Sequence, residues 1–326
     1  MKLPLLGSVL GAVALVGVPA FADYPSRTIE LVIPYGPGGA TDLSARALVN
    51  PLSQISPQSL VLANRTGAGG ATGSVAVRDA EADGYTLLFA RVGSHTVNPA
   101  MNPNLPYTLD EFRFVGVYEI NPVICAVSAD SDIESMDELA AQVEEQPGSV
   151  QFSSSGVGTL LHIAGAMVLD AWGVEDPLEK ATHLPMDGGG QAATAVVQGT
   201  ATFICTNSSA LASFINNEQL RPLLVTTPER MDTFPDVPTV AELGHPELEQ
   251  LVGWTGIAGP AALSDDVAEV WEEWLAEATE DEEFQSFMAQ AGSEVRLMSP
   301  EESLEFINAQ YDTFRELVMT LDMEVE

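Results

Sequence analysis

The chain has 326 residues, room for two domains or one large one, and its 12 basic against 47 acidic residues give a formal charge of −35. That balance argues against nucleic acid or an anionic membrane as partner, and a hydrophobic content of 46% argues against a disordered acidic chain. Lysine occurs only at Lys2 and Lys180, the composition expected of a folded surface that must stay soluble in a salty medium.

Met1 to Ala22 reads as a signal peptide: Lys2, an apolar run from Leu3 to Val18, then Ala20-Phe21-Ala22 in the A-x-A form of a cleavage site. The mature chain is then expected to start at Asp23, with 11 basic and 47 acidic residues and a net charge of −36. No cysteine follows the cleavage site, which argues against a lipid anchor, and no later stretch is long and apolar enough to span a bilayer.

Leu31-Val32-Ile33 reads as a buried strand that ends in Pro34-Tyr35-Gly36-Pro37-Gly38-Gly39. Thr41 or Asp42 is expected to cap the helix that follows through Leu43, Ala47 and Leu48 and ends near Asn50-Pro51. Such a strand, bare loop and helix start offers backbone N–H groups at the positive end of a helix dipole, a site for a carboxylate or a phosphate. Ser59 to Ala63 is a second strand. Gly67 to Gly73 fails the G-x-G-x-x-G spacing and lacks a P-loop lysine, so it reads as a tight loop before a helix through Val75 to Ala80.

Tyr85 to Ala90 is the next strand, and the polar stretch at its end, Gly93 to Pro99, makes Ser94 and Thr96 candidates for a second wall of a crevice. Phe112 to Val127, broken at Asn121-Pro122, reads as a strand crossing between domains. Ser135 to Glu138 is a capping box for a helix through Val143. Val150 to Thr159, followed by helix-like Leu160 to Leu169, repeats the opening design of strand, flexible loop and helix start. Two helix N-termini facing one cleft would hold two ends of one anion.

Ala181 to Met186 and Ala201 to Cys205 are further strands, with a helix through Ala192 to Val197 between them, and Leu220 to Thr226 reads as the return crossing. Pro235 to Thr239 precedes a short helix ending at Gly244, and Gly253 to Ala258 is a strand. Val267, Trp271, Trp274, Leu275 and Ala278, then Leu304, Ile307, Tyr311, Phe314 and Val318, form the apolar stripes of two C-terminal helices. Cys125 and Cys205 each sit in a strand-like run, so one bridge and two buried thiols remain equally open.

Enzyme signals are weak. His95, His162, His183 and His245 make no metal-ligand spacing, and Ser155 lies in a glycine-bordered loop without a G-x-S-x-G elbow. No metal and no cofactor is expected, and catalysis by Ser155 stands as the alternative from another class, a secreted serine hydrolase.

In this order and spacing, Tyr24-Pro25, Ile33-Pro34-Tyr35-Gly36-Pro37-Gly38-Gly39 with Thr41-Asp42, Asn64-Arg65-Thr66-Gly67-Ala68-Gly69-Gly70, Asp83-Gly84-Tyr85-Thr86-Leu87-Leu88, Asn98-Pro99, Ser153 to Gly156 with His162, Pro235 to Thr239 with Glu242, and Trp254 are highly specific together. On these residues the whole mature chain resembles the Bug family, the extracytoplasmic solute receptors of tripartite tricarboxylate transporters. The resemblance implies an α/β, type II periplasmic binding protein fold, two α/β lobes joined by two crossing strands. Lobe 1 would take 23–121 and 225–326, and lobe 2 would take 122–224.

It further implies a periplasmic, non-enzymatic, monomeric protein that binds a small organic carboxylate and delivers it to a membrane permease. A sensor that presents its closed form to a signalling partner is the alternative among binding proteins. Carried onto this chain, the ligand set is Tyr35, Gly36, Gly38, Gly39, Thr41 and Asp42 from one lobe and Ser154, Ser155, Gly156 and Thr159 from the other, with Ser94 and Thr96 nearby. Where the family commonly shows a tyrosine-lysine-glycine run, this chain has Met186-Asp187-Gly188. Asp187 near the cleft would repel a second carboxylate or demand an amine or hydroxyl partner.

Overall fold

The structure, a computed structural model, describes residues 24–156, 159–186, 188–320 and 323–324. The expected signal peptide 1–22 and Asp187 lie outside the described residues.

Two sheets share one strand. In the first, β1 (Ile29–Ile33) leads through α1 (Ala40–Ile55) to β2 (Leu60–Asn64), and α2 (Ala71–Arg78) leads to β3 (Thr86–Arg91). β1 pairs in parallel with both β2 and β3. After a π-helical turn at Gly93–Val97 and the short α3 (Asn98–Met101), the chain enters β4, the 17-residue strand Phe112–Ser128.

The second sheet is built from α4 (Met136–Glu145), β5 (Val150–Ser154), α5 (Leu160–Ala171), α6 (Pro177–Lys180), β6 (Ala181–Pro185), α7 (Gly189–Val197), β7 (Phe203–Asn207), α8 (Ser208–Asn216) and β8 (Leu220–Val225). β5 is parallel to β6 and β7, while the far half of β4 runs antiparallel to β7 on one side and β8 on the other. β9 (Val252–Pro260) returns to the first sheet between β3 and β4, antiparallel to both. α9 (Asp265–Thr279), α10 (Glu282–Gln290), the two-residue β10 (Glu294–Val295) paired to β4, and α11 (Pro300–Thr320) finish the chain.

Period-two burial explains why the first sheet is covered on both faces. Leu87 and Phe89 of β3 enter a core with Leu48 and Leu52 of α1, Trp271 and Leu275 of α9 and Phe284 of α10. Leu88 and Ala90 point the other way, to a core that includes Val77 of α2 and Ile307 and Phe314 of α11. The stripes read from the two C-terminal helices are therefore core, and the indole of Trp254 is tied to α11 by Gln310 at 2.8 Å. Cys125 and Cys205, opposite each other in the β4–β7 register, are joined by a disulfide.

The structure differs from the sequence reading in several places. α1 does not stop at Pro51 but runs to Ile55, because Leu48 and Leu52 continue its buried stripe past a proline that removes one amide. Its N-cap is Gly39, not Thr41 or Asp42. β8 is not a crossing strand, since it pairs with β4 only within the second sheet, and the chain returns through residues 226–251 before β9 begins opposite Pro122. The segment before Gly244 is a single turn held by Thr239 and Glu242, which cap each other's amides at 2.9 and 3.2 Å, and the short helix comes after it, as a 3₁₀ turn at Pro246–Gln250.

β4 and β9 approach so closely that a Cβ added to Gly256 would lie 2.7 Å from the Gly116 carbonyl oxygen and 3.1 Å from the Val117 Cα. Both are backbone atoms next to register shifts in β4, so neither yields cheaply. Gly256→Ala should therefore destabilise by about 1–3 kcal/mol. A urea midpoint unchanged from wild type would show that this strand pair can move apart.

Candidate functional site

The glycine loop after β1 is braced from inside and bare outside. Gly38 has φ +78°, a conformation glycine adopts freely. Its amide donates to Asp42 Oδ2 at 2.9 Å, and Arg46 Nε donates to the same oxygen at 2.8 Å. Asp42 Oδ1 accepts from Arg46 at 3.0 Å and from Asn64 Nδ2 at 2.9 Å, and Asn64 also holds the Tyr35 carbonyl at 2.9 Å.

Asp42 is 2% exposed, and the Arg46 hydrogen bonds, helped by Gly38 and Asn64, hold its carboxyl down at about 2. Both its oxygens are thus spent on the loop. Gly36, Gly38, Gly39 and Ala40 are exposed, and a Cβ on Gly36 or Gly38 would meet nothing within 4 Å. Among the described residues, the amides of Gly36, Ala40, Thr41 and Asp42 donate to no group.

Tyr35 lies half-buried against the neighbouring loops. Its hydroxyl donates to the Gly69 carbonyl at 3.3 Å, and a Cβ on Gly93 would come within 2.6 Å of that hydroxyl. Burial pushes the Tyr35 hydroxyl up from its ordinary value, so it stays protonated as a donor.

Ser94 and Thr96, expected at a second wall, are both buried in the π-helical turn, and the Thr96 hydroxyl has no hydrogen-bond partner among the described residues. Ser94 Oγ is turned to the Arg91 carbonyl at 3.1 Å and to His95 Nδ1 at 2.9 Å. His95 packs edge-on to Phe112 and Phe114, and burial lowers its pKa to about 3.

The corresponding loop of the second sheet follows β5. Ser154 is fully buried, with Oγ 2.6 Å from His183 Nε2 and accepting the Gly156 amide at 3.2 Å. Ser155, Gly156 and Thr159 remain half-buried. Thr159 is the N-cap of α5: its hydroxyl accepts from the His162 amide at 3.3 Å and donates to the Gly156 carbonyl at 2.9 Å. His162 and His183 stack with ring centroids 3.9 Å apart, and the Phe152 ring lies 4.8 Å from His183. It is Ser154, not Ser155, that meets a histidine, and no carboxylate stands behind that histidine among the described residues.

Sequence reasoning missed a polar network beneath the start of α1. Glu119 of β4, 2% exposed, accepts from Ser44 at 2.7 Å, Thr255 at 2.6 Å and Ser293 at 2.8 Å. Arg91 donates to Thr255 at 3.1 Å and lies 4.0 Å from Glu119. The signal was a single acid inside the apolar run Val115 to Val127.

The sequence profile of the tripartite tricarboxylate transporter family receptor matches residues 44–323. The chain belongs to that receptor family. BugT of Bordetella pertussis (strain Tohama I) is 29% identical over 313 residues, which cover 94% of each chain. A solved structure of a periplasmic transporter superposes with a TM-score of 0.78 at 31% identity, over 93% of this chain and 100% of that one. MatC from Rhodopseudomonas palustris, solved with bound malate, shares the fold at a TM-score of 0.75 and 24% identity, over 90% of this receptor and 100% of MatC.

The stacked histidines give the receptor an acid sensitivity. Burial lowers the pKa of His183 from 6.5 to about 4 and that of His162 in the same direction. The unfolded chain therefore binds more protons across this window, so stability is fully present above pH 6.5 and declines as pH falls towards 4. Urea midpoints measured from pH 7 to pH 4.5 should fall, and His183→Gln should flatten part of the decline. An equal slope in that variant would assign the effect elsewhere.

Proposed function

We propose that the protein is a periplasmic receptor that captures a small organic carboxylate between its two lobes and delivers it to the permease of a tripartite tricarboxylate transporter. The observation that carries this reading is the loop from Gly36 to Asp42, whose open amides are fixed in place by a buried carboxylate. Amides held at a helix N-terminus are already aimed and partly desolvated, so a carboxylate gains their hydrogen bonds with little ordering of the protein. MatC, of the same fold, holds a carboxylate, malate.

The second half of the grip would come from Ser155, Gly156 and the start of α5, and the lobes would be 23–121 with 225–326 and 122–224. Closure would be a hinge at Asn121-Pro122 and in the returning segment after Val225, driven by the ligand's tighter contact with the closed form. Export would remove residues 1–22, and the mature protein would act as a monomer.

A thermal-shift screen of the purified protein against mono-, di- and tricarboxylates and amino acids in high salt tests the reading. A ligand at a hundred times its Kd should add about 2.7 kcal/mol. Gly39→Val should abolish the shift while leaving the unliganded midpoint nearly unchanged, because Gly39 has an ordinary φ of −75° and its Cβ would meet only the Gly36 carbonyl, at 3.4 Å. Retained binding in Gly39→Val would move the anion away from this loop. The absence of any shift in a cooperatively folded sample would sink the receptor reading.

A further inference from the structure

Acidic residues are missing from three stretches of the chain that meet on one side of the molecule. Residues 43–78 hold no Asp or Glu in 36 positions, where the chain's average of 47 in 326 would place about five. Residues 188–217 hold no charged side chain of either sign, and Phe284 to Ser293 hold none either. The first stretch carries most of α1 and all of β2, the second α7 and α8, and the third most of α10. Burial does not explain the gap. α1 and α9 cover the same core, yet α9 exposes Asp265, Asp266, Glu269, Glu273 and Glu277, whereas α1 exposes Leu43, Arg46, Asn50, Ser53 and Gln54.

The helices of these stretches touch one another. Gly292, just after α10, sits so close to α8 that an added Cβ would lie 2.8 Å from the Ser209 nitrogen, and the Ser208 hydroxyl donates to the Gly292 carbonyl. A Cβ on Gly189 would lie 2.8 Å from that of Ala210, so α7 abuts α8. α1 and α10 flank a hollow of about 560 Å³, and a second one, of about 320 Å³, reaches from them to the start of α8. Leu43 and Phe287 line both hollows and so form the ridge between them, 48% and 41% exposed. Asp281 and Glu283, at the start of α10, mark the acidic border of the first hollow, and Glu119, in the wall of the second, is only 2% exposed.

A neutral face around two exposed apolar side chains, on a chain of charge −35, has the composition of an interface core: charge is excluded and an aromatic stands at the centre. The permease of the proposed transporter faces the same medium, and two surfaces rich in carboxylates repel where they meet. We infer that α1, α10, α8 and α7 form the docking face for that permease, whose matching surface is uncharged and offers an apolar side chain to each hollow. The inference rests on the receptor reading and deepens it. The face crosses from the first sheet to the second, and Leu43 lies one turn from the glycine loop. Closure on a solute therefore resets the two halves of the face against each other, and the permease meets a different surface when the receptor is loaded. A second copy of the chain would have no use for a face whose shape follows the solute.

The test is binding of the purified receptor to the permease subunits of its own transporter, held in nanodiscs in high salt. Phe287→Glu, Asn50→Glu and Ser213→Glu each put one acid on the face at an exposed position. The urea midpoint, and the thermal shift given by any carboxylate that shifts the wild type, should therefore stay as they are. Phe287→Glu should weaken permease binding at least tenfold and the other two at least threefold, while Glu269→Gln, on the acidic side of α9, should leave it unchanged. Undiminished binding in all three variants, or an equal loss in Glu269→Gln, overturns the docking face and leaves the receptor reading standing. A wild-type receptor that shifts with a carboxylate but does not bind the permease sinks delivery, and the face with it. Sedimentation of the receptor alone covers the other occupant: a dimer that Phe287→Glu converts to monomer gives the face to a second copy and overturns its assignment to the permease.

Discussion

Everything that makes this molecule a two-part receptor hangs on one strand serving two sheets. β4 pairs with β9 as far as Pro122 and with β7 and β8 from Val123 onward, so its partners change between adjacent residues. Such a changeover leaves backbone groups without a ladder, and side chains take their place. The Asn121 carbonyl accepts from Asn207 Nδ2 at 3.2 Å, and Thr226 Oγ1 accepts the Val123 amide at 3.0 Å while reaching the Leu251 carbonyl at 2.9 Å. Thr226 and Leu251 bound the returning chain, so one hydroxyl ties both connections together. Just before the changeover, Glu119 and Asn121 are buried and joined through Ser293, which donates to Glu119 and accepts from Asn121, both at 2.8 Å.

The local design was legible in the sequence, and the long-range chemistry was not. Three glycines in four positions before Thr41-Asp42 announce a bare loop and a helix start, because few other roles tolerate that composition. The error over the cap is instructive. Asp42 does serve the helix start, but from the third helical position, reaching past the Gly39 cap to the Gly38 amide, one residue beyond the amide that the acid of a capping box takes. The burial of Ser94 and Thr96 was not legible for a different reason: polar composition predicts exposure only on average, and the π-helical turn turns Ser94 inward to Arg91 and His95. The partners of Glu119 stand at Ser44, Thr255 and Ser293, as much as 174 residues away in the chain. No window of sequence contains them, and only the sheet order brings them together. α10 was likewise invisible, with Phe284 and Met288 alone buried along an otherwise acidic segment.

Charge explains why the anion should be held by amides. The few basic residues are nearly all committed to carboxylates already. Arg27, Arg46, Arg65, Arg78, Arg113, Lys180, Arg230 and Arg315 each lie 2.5–2.9 Å from an Asp or Glu oxygen. Arg221 is turned to the carbonyls of Ala129, Ser131 and Ile133 at 2.8–3.0 Å. At the glycine loop Arg46 is committed to Asp42, so the loop offers an incoming carboxylate neutral amides, and the net charge repels that carboxylate at long range.

Salt resolves that opposition, because the two effects act over different distances. At about 1 M salt the Debye length is roughly 3 Å, which removes most of the surface repulsion while leaving contacts at hydrogen-bond distance intact. The exposed ion pairs weaken under the same conditions. Asp42 is 2% exposed and held by Gly38 and Asn64 as well as by the half-exposed Arg46, so only part of its clamp lies open to that screening. The loop therefore keeps its shape in a medium that screens the surface electrostatics. Capture by amides answers a constraint imposed by a surface that carries so many carboxylates.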